Sequence, residues 1–242
     1  MPREHGYDVV NAIKAMVDDH VDLFFCMGGN FLSATPDTNV TAEGLRNVNL
    51  TVQVSTKLNR SHLITGKSAL ILPCLGRTEL DMQETGKQFV TVENSMGVVH
   101  RSTGGLNPAS TALLSEPMIV ARMANETLDS SPIDWMKLAG NYDLIRDLMS
   151  NSLAGFEQYN TRVREENGFA LPNPPRDTRS FTTSDQKAHF TTHSLPDLNI
   201  PDECYTMMTM RSHDQYNTTI YDVHDRYLSL IHISEPTRRR GI

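Results

Sequence analysis

The pattern of apolar positions in the first 75 residues predicts alternating helices and strands. Apolar side chains recur at helical spacing over Tyr7–Asp19, which predicts a helix. Thr38 or Thr41 is the expected cap of a second helix that runs to Leu45, and a short third helix is expected over Asn59–Gly66. Three apolar or alternating runs predict strands, at Leu23–Met27, Leu50–Ser55 and Ala69–Leu72. Such alternation favours an α/β fold with a parallel sheet.

Beyond Pro73 the pattern predicts a hairpin, several helices and a long irregular stretch. Strands are expected at Phe89–Glu93 and Gly97–His100, around a turn at Asn94. Ser115 is a plausible cap for a helix to Leu128, with Pro117 in its first turn. Further helices are expected from Ser131 and over Tyr142–Asn151, and a strand over Tyr205–Arg211. Residues 155–201 are rich in Pro, Asn, Asp and Thr, which predicts a linker or an extended excursion between domains.

The last fifteen residues, Leu228–Ile242, have no link to the pattern that precedes them. They resemble the translation of a sequencing adapter, so we expect a non-native tail and a natural chain that continues beyond Tyr227. The alternative is a basic peptide-binding tail carried by Arg238, Arg239 and Arg240.

Composition and charge exclude several classes of protein. The 242 residues are 38% hydrophobic with a net charge of −7, which argues against a disordered chain and against a nucleic-acid binder. No apolar run approaches the length of a transmembrane helix and the first residues lack a signal-peptide stretch, so a cytoplasmic location is expected. Cys26, Cys74 and Cys204 are far apart, which disfavours a disulfide framework, a zinc ribbon or an iron–sulfur site built by this chain alone.

Two predicted strand ends carry candidate binding residues. Gly28, Gly29 and Asn30 follow the first strand, where glycine lets a backbone approach a phosphate and free N–H groups can hold an anion. The segment Ser55–His62, with its hydroxyls, Lys57 and Arg60, follows the second strand and suits ribose and phosphate contacts. The alternatives are a plain tight turn at the first place and a solvated helix start at the second.

A third candidate is the polar segment Arg211–Thr219, which could hydrogen-bond a ligand with many acceptors, or could be an exposed loop. His189 and His193 have the spacing of metal ligands on a helix but lie in a loop-like region without a third ligand nearby. Cys74 could be a nucleophile, although a cysteine at a strand end is more often packed in the core.

The ordered set of motifs resembles the formate-dehydrogenase-like branch of the molybdopterin oxidoreductase alpha subunits. The resemblance spans residues 7–227 and is carried by four segments, Met27–Asp37, Val54–His62, Leu70–Glu79 and Arg211–Thr218. It implies a large enzyme that holds molybdenum bis(molybdopterin guanine dinucleotide), with a 4Fe-4S cluster, a small-molecule substrate and an electron-transfer partner.

The resemblance also implies an organisation of the chain. Residues 1–154 would end a dinucleotide-binding α/β domain, 155–203 would link, 204–227 would start a C-terminal β-barrel domain, and 228–242 are the expected non-native tail. The implied cofactor-binding residues fall in two groups, first Gly28, Gly29, Asn30, Ser55, Thr56 and Lys57, then Arg211, Ser212, His213, Gln215, Tyr216 and Asn217.

The chain also departs from this family. The cysteine cluster for the 4Fe-4S centre and the protein ligand to molybdenum would lie upstream, so no catalytic or metal-binding residue is expected here. We therefore expect a fragment of a molybdopterin-dependent oxidoreductase that is inactive alone. The alternatives are a free-standing α/β nucleotide- or flavin-binding module and a non-enzymatic structural partner.

Overall fold

The computed structural model describes residues 5–195, 199–201, 203–205, 215–216 and 219–220, the last two pairs by their backbone only. Eight α-helices occur in these residues: Val9–Val17 (α1), Phe31–Ala34 (α2), Thr38–Asn47 (α3), Glu116–Thr127 (α4), Trp135–Gly140 (α5), Tyr142–Ser152 (α6), Tyr159–Arg162 (α7) and Pro174–Asp177 (α8). One 3₁₀ helix spans Arg60–Leu63. The described strands are Leu23–Met27 (β1), Leu50–Ser55 (β2), Ser68–Pro73 (β3), Met82–Gln83 (β4), Gly86–Lys87 (β5), Val90–Glu93 (β6), Val98–Ser102 (β7), Phe169–Ala170 (β8), Gln215–Tyr216 (β9) and Thr219–Ile220 (β10).

The fold is mixed α/β, and its first part is a parallel sheet in the order β1-β2-β3, as the sequence predicts. Phe25 lies opposite Val52, and Val52 lies opposite Leu70 on the third strand. The central strand is buried on both faces, because even its polar Thr51 and Gln53 are covered. Gln53 satisfies its side-chain amide by donating to the carbonyl of Ser61 at 2.9 Å.

Helices α1 and α3 pack together beside this sheet. The buried cluster there consists of Met16, Leu32, Ala42, Leu45 and Val48. Asp37, and not Thr38 or Thr41, caps helix α3, because its carboxylate accepts the N–H groups of Asn39 and Val40. Thr41 instead donates its hydroxyl to the backbone carbonyl of Asp37 at 2.7 Å.

The helix expected over 59–66 is only the 3₁₀ turn Arg60–Leu63, which Asn59 caps. Gly66 does not end it. A Cβ at Gly66 would stand 2.4 Å from the carbonyl oxygen of Val48, so glycine is needed there for a close backbone contact.

The second part is an antiparallel sheet in the order β6-β7-β8. Its hairpin confirms the prediction from the sequence, and Asn94 holds the turn by accepting the N–H groups of Met96 and Val98. Strand β8 and helix α7 come from the stretch that the composition describes as a linker. They place Tyr159, Val163 and Phe169 in a buried cluster with Val99, so part of the stretch 155–201 packs into a folded core. The domain boundaries themselves stay a prediction.

Three helices complete the described core. Ser115 caps α4 as predicted, with Pro117 in the first turn, and α6 begins at Tyr142 as predicted. Helix α5 begins at Trp135, later than expected, because Asp134 accepts the N–H of Lys137.

Of the predicted strand 205–211 only Tyr205 is described, and it is exposed and belongs to no strand. Most of the barrel start 204–227 and the tail 228–242 lie outside the described residues. Within that region the structure describes the antiparallel pair β9–β10. None of the described sheets closes into a barrel. Within the described residues, no helix has both the length and the apolar character needed to cross a membrane.

Candidate functional site

Two predicted binding loops lie side by side at the carboxyl edge of the parallel sheet. Residues 28–30 follow β1 and residues 55–57 follow β2, and these strands are neighbours. The N–H of Gly28 donates to the carbonyl of Val54 at 2.7 Å. The side-chain amide of Asn59 donates to the carbonyl of Gly29 at 2.8 Å. The structure therefore brings the two segments together, at the place where open parallel sheets bind ligands.

The two glycines are required by the backbone of the first loop. Gly28 has φ +68° and Gly29 has φ +77°, which L side chains rarely adopt. A Cβ at Gly29 would have no atom within 4 Å, so the space above the loop is open. In the part of the chain that the structure describes, the N–H groups of Gly29 and Asn30 have no protein acceptor. They are donors that a ligand could use.

The side chain of Asn30 is hydrogen-bonded to the 3₁₀ helix. Its side-chain oxygen accepts the hydroxyl of Ser61 at 3.2 Å. The same Ser61 hydroxyl accepts the N–H of Leu32 at 3.0 Å. Because these contacts fix the start of helix α2, the side chain of Asn30 has a structural role as well as a candidate binding role.

In the second loop, only some of the predicted binding residues are accessible to a ligand. The Nδ1 of His62 accepts the N–H of Asn59 at 2.9 Å, so its Nε2 carries the proton and donates to the Ser55 hydroxyl at 3.1 Å. Ser55 is buried by this contact, whereas Thr56 and Lys57 are exposed. Thr56 and Lys57 are therefore the side chains of this loop that a ligand could reach.

The third strand end carries a buried thiol. Cys74 is 3% exposed, and burial, followed by the nearby Glu116 and Glu79, raises its pKa above the ordinary value. A thiol with a raised pKa is a poor nucleophile. Cys74 is therefore a core residue.

Sequence reasoning did not single out Glu79, which organises the same strand end. Its carboxylate accepts the N–H groups of Gly76 at 2.6 Å and Ala109 at 2.9 Å. These two bonds lower the pKa of Glu79. A glycine three residues before a carboxylate, in the loop that follows a strand, is the signal that could have identified it.

A cavity of about 540 Å³ lies beside this edge, between the loop after β3, strand β6 and helices α4, α5 and α6. One wall contains a buried network in which Tyr142 donates to Asp81 at 2.5 Å and lies 2.7 Å from the Ser115 hydroxyl. Burial and then the bond to Asp81 raise the pKa of Tyr142. The sequence did not predict this cavity because its lining is drawn from residues 27 to 145.

The other predicted site residues are not positioned by the structure. Arg211, Ser212, His213 and Asn217 lie outside the described residues. Gln215 and Tyr216 belong to strand β9, and their side chains are not described. Their part in a shared site stays a prediction.

His189 and His193 lie in an exposed irregular segment and not on a helix. His189 lies in an exposed loop, with its Nε2 2.8 Å from the Asp185 carboxylate. Within the described residues, no group of three His, Cys, Asp or Glu side chains could hold a metal ion.

Comparison with known proteins gives relatives much longer than this chain. No family model matches it. It is 51% identical over 227 residues to uncharacterized oxidoreductases of Mycobacterium bovis and Mycobacterium tuberculosis, a match that covers 93% of this chain and 29% of each relative. It is 42% identical over 230 residues to protein YdeP of Escherichia coli, covering 93% of this chain and 30% of the relative. The chain thus spans somewhat under a third of the length of these relatives.

Proposed function

We propose that this chain is a segment of a molybdopterin-dependent, formate-dehydrogenase-like oxidoreductase that helps to bind a molybdopterin guanine dinucleotide. The observation that carries the proposal is the meeting of loops 28–30 and 55–57 at the carboxyl edge of adjacent parallel strands. Relatives that share 51% of the residues are named as oxidoreductases, which supports the reaction class. The ordered motifs described above support the cofactor.

The exposed groups of the two loops suit the phosphates of such a cofactor. The N–H groups of Gly29 and Asn30 have no protein acceptor among the described residues, and Thr56 and Lys57 are exposed. Two backbone donors, a hydroxyl and an ammonium group form a donor set for a pyrophosphate. The described residues contain no group of three His, Cys, Asp or Glu side chains that could hold a metal ion, so the proposal gives them dinucleotide contacts.

The part played by this chain is binding and orientation. Gly29 and Asn30 would donate N–H groups to phosphate oxygens, and Lys57 would offset their negative charge. Asn59 would keep the two loops at a fixed separation through its bond to Gly29. The bound molybdenum group would supply the redox chemistry, and residues outside this chain would hold the metal and the 4Fe-4S cluster. Formate is the substrate suggested by analogy with the family branch.

The test measures cofactor content in the full-length gene product. We expect Gly29→Val to reduce bound molybdenum and acid-released guanine nucleotide to about a tenth, since a side chain is strained at this φ and covers the free N–H groups. Lys57→Ala should reduce both several-fold. Gly6→Val and Lys87→Ala are matched controls, because Gly6 has open space at an ordinary φ and Lys87 is exposed on β5.

The result that contradicts the proposal is full molybdenum and nucleotide content in both loop variants. Far-ultraviolet circular dichroism of Gly29→Val guards against loss of fold. Lys57→Ala is expected to leave the fold intact, because its side chain is exposed. A loss of cofactor in this variant would therefore not come from unfolding.

The isolated chain separates this proposal from a free-standing nucleotide-binding module. We expect weak or no cofactor binding by the chain alone, because other domains would supply much of the burial and pre-organisation. Tight binding of a guanine nucleotide or flavin, together with cooperative unfolding, would support the free-standing module instead.

A further inference from the structure

The cavity beside the sheet edge has the size and lining of a small-molecule site. Its volume of about 540 Å³ falls within the range of roughly 300–1,000 Å³ typical of ligand pockets. Most of the lining is apolar, with Met27, Leu75, Phe89, Val120, Leu138 and Ile145 among its residues. An apolar body would therefore be buried favourably there.

The charged groups of the lining are mostly acidic. Glu79, Asp81 and Glu116 line the cavity, and Arg77 is the basic residue among the described lining. Glu79 is occupied by two backbone N–H groups, and Asp81 accepts from Tyr142 and from Gln83. These two carboxylates are therefore already satisfied within the protein.

Glu116 is the carboxylate that remains available. It is exposed and has no side-chain hydrogen bond or ion pair with the described residues. Its Oε1 lies 3.9 Å from the position that a Cβ on Gly28 would take, which places it where the cavity meets the first binding loop. Glu116 also begins helix α4, where a negative side chain stabilises the helix.

An aromatic ring forms another part of the lining. Trp135 lines the cavity, and its indole N–H donates to the hydroxyl of Ser131 at 3.0 Å, which fixes the ring. Aromatic faces attract cations, and the indole ring does so most strongly. The indole ring of Trp135 and the free carboxylate of Glu116 thus both favour a positively charged ligand.

We propose that this cavity binds a small organic cation with a flat apolar body, of the amidinium or aromatic amine class. The body would pack against Val120 and Ile145, and the charged end would pair with Glu116. An anionic ligand is disfavoured by the three carboxylates. This preference makes the cavity a site distinct from loops 28–30 and 55–57, whose donors suit phosphates.

The test titrates the full chain with benzamidine and with its neutral counterpart benzamide, while tryptophan fluorescence is recorded. Trp135 is the single tryptophan of these 242 residues and lines the cavity, so its fluorescence is expected to change when a probe occupies the cavity. We expect benzamidine to bind about fivefold more tightly than benzamide, the size of a partly exposed charge pair. Glu116→Gln should abolish this preference. Glu126→Gln, an exposed change near the end of the same helix, should retain it.

Equal affinity for the two probes, or no binding of either, would overturn the proposal. Calorimetry repeats the titration without reliance on fluorescence, and thermal unfolding checks that Glu116→Gln remains folded. The outcome does not depend on the proposed function. Loss of molybdenum in Gly29→Val would leave this site untouched, and failure of benzamidine to bind would leave the dinucleotide contacts untouched.

Discussion

The two three-stranded sheets differ in the sequence separation of the contacts that stabilise the region around each of them. In the parallel sheet, the bonds that fix the binding loops join residues about 30 apart, such as Asn59 with Gly29. In the antiparallel region, Thr91 contacts Tyr159 across 68 residues, and Arg146 donates to the carbonyl of Phe89 across 57. The parallel sheet therefore forms from residues that are close in sequence. The antiparallel region forms only when a longer segment of the chain closes into a loop.

This difference predicts that the aromatic cluster contributes most to the stability of the second region. Phe169 is 6% exposed, packs edge-on against Phe156 and Tyr159, and carries Arg162 over its ring. We expect Phe169→Ala to lower the free energy of unfolding by about 3–4 kcal/mol, from lost burial and the cavity left behind. Urea denaturation measures this.

Phe190→Ala is the control for that prediction, because Phe190 is 92% exposed and should have almost no effect. A loss below about 1 kcal/mol in Phe169→Ala would mean that residues 156–171 contribute little to the folded core.

The buried hydroxyl network beside the cavity should give the next largest effect. Tyr142→Phe leaves the half-buried Asp81 without one donor and the buried Ser115 without its hydroxyl partner. We expect a loss of about 1–2 kcal/mol. Thermal unfolding measures it against Tyr205→Phe, which changes a residue that is 96% exposed. Equal stability of the two variants would contradict this account of the network.

The contact between the two binding loops should give a smaller effect on stability. Asn59→Ala removes the cap on Ser61 and the bond to Gly29, and we expect a cost of about 1 kcal/mol. The content of the proposed cofactor in the full-length protein should fall as well, because the loops lose their fixed separation. Asn125→Ala on helix α4 is the control. Unchanged stability and unchanged cofactor content in Asn59→Ala would show that this contact does not hold the loops.

The smallest expected effect is a change in pH dependence. Burial opposes ionisation of Asp143, but hydrogen bonds from Arg164 and Arg146 outweigh it and lower the pKa of the carboxyl. The stabilisation is therefore present above the ordinary pKa of 3.8 and lost as the pH falls through the lower folded value. Between pH 5 and 3, the wild type should lose about 0.5 kcal/mol more than Asp143→Asn, since the pair is partly exposed.

Denaturation curves at several pH values measure this difference. Asp129→Asn, in an exposed loop, should keep the wild-type pH dependence. If the free energy of unfolding of the wild type and of Asp143→Asn changed with pH in the same way, the proposed contribution of Asp143 would be contradicted.

The sequence predicts the parallel sheet well because its signals are local. Strands β1 and β2 begin and end where the apolar pattern places them, since each run is flanked by residues that break it, such as Gly28. Asp37 was missed as a cap because a threonine and an aspartate compete within a few residues, and only the backbone geometry decides between them.

The same local signals do not reveal the second core or the cavity. Phe169 stands in a polar, proline-rich stretch, and its burial comes from pairing with Val99, which no short window contains. The strand-end glycines could be proposed as a candidate site from the sequence because their neighbours follow in order along the chain. Glu116 and Trp135 could not, since the fold alone brings them to one cavity.

The most direct test of the account is hydrogen–deuterium exchange in the full-length protein with and without the proposed molybdopterin guanine dinucleotide. The central claim is that residues 28–30 and 55–57 contact one bound dinucleotide. Cofactor removal should therefore speed exchange in both segments together, with no change in the exposed hairpin turn at 94–97. Unchanged exchange in both segments, or a change in only one of them, would contradict the claim.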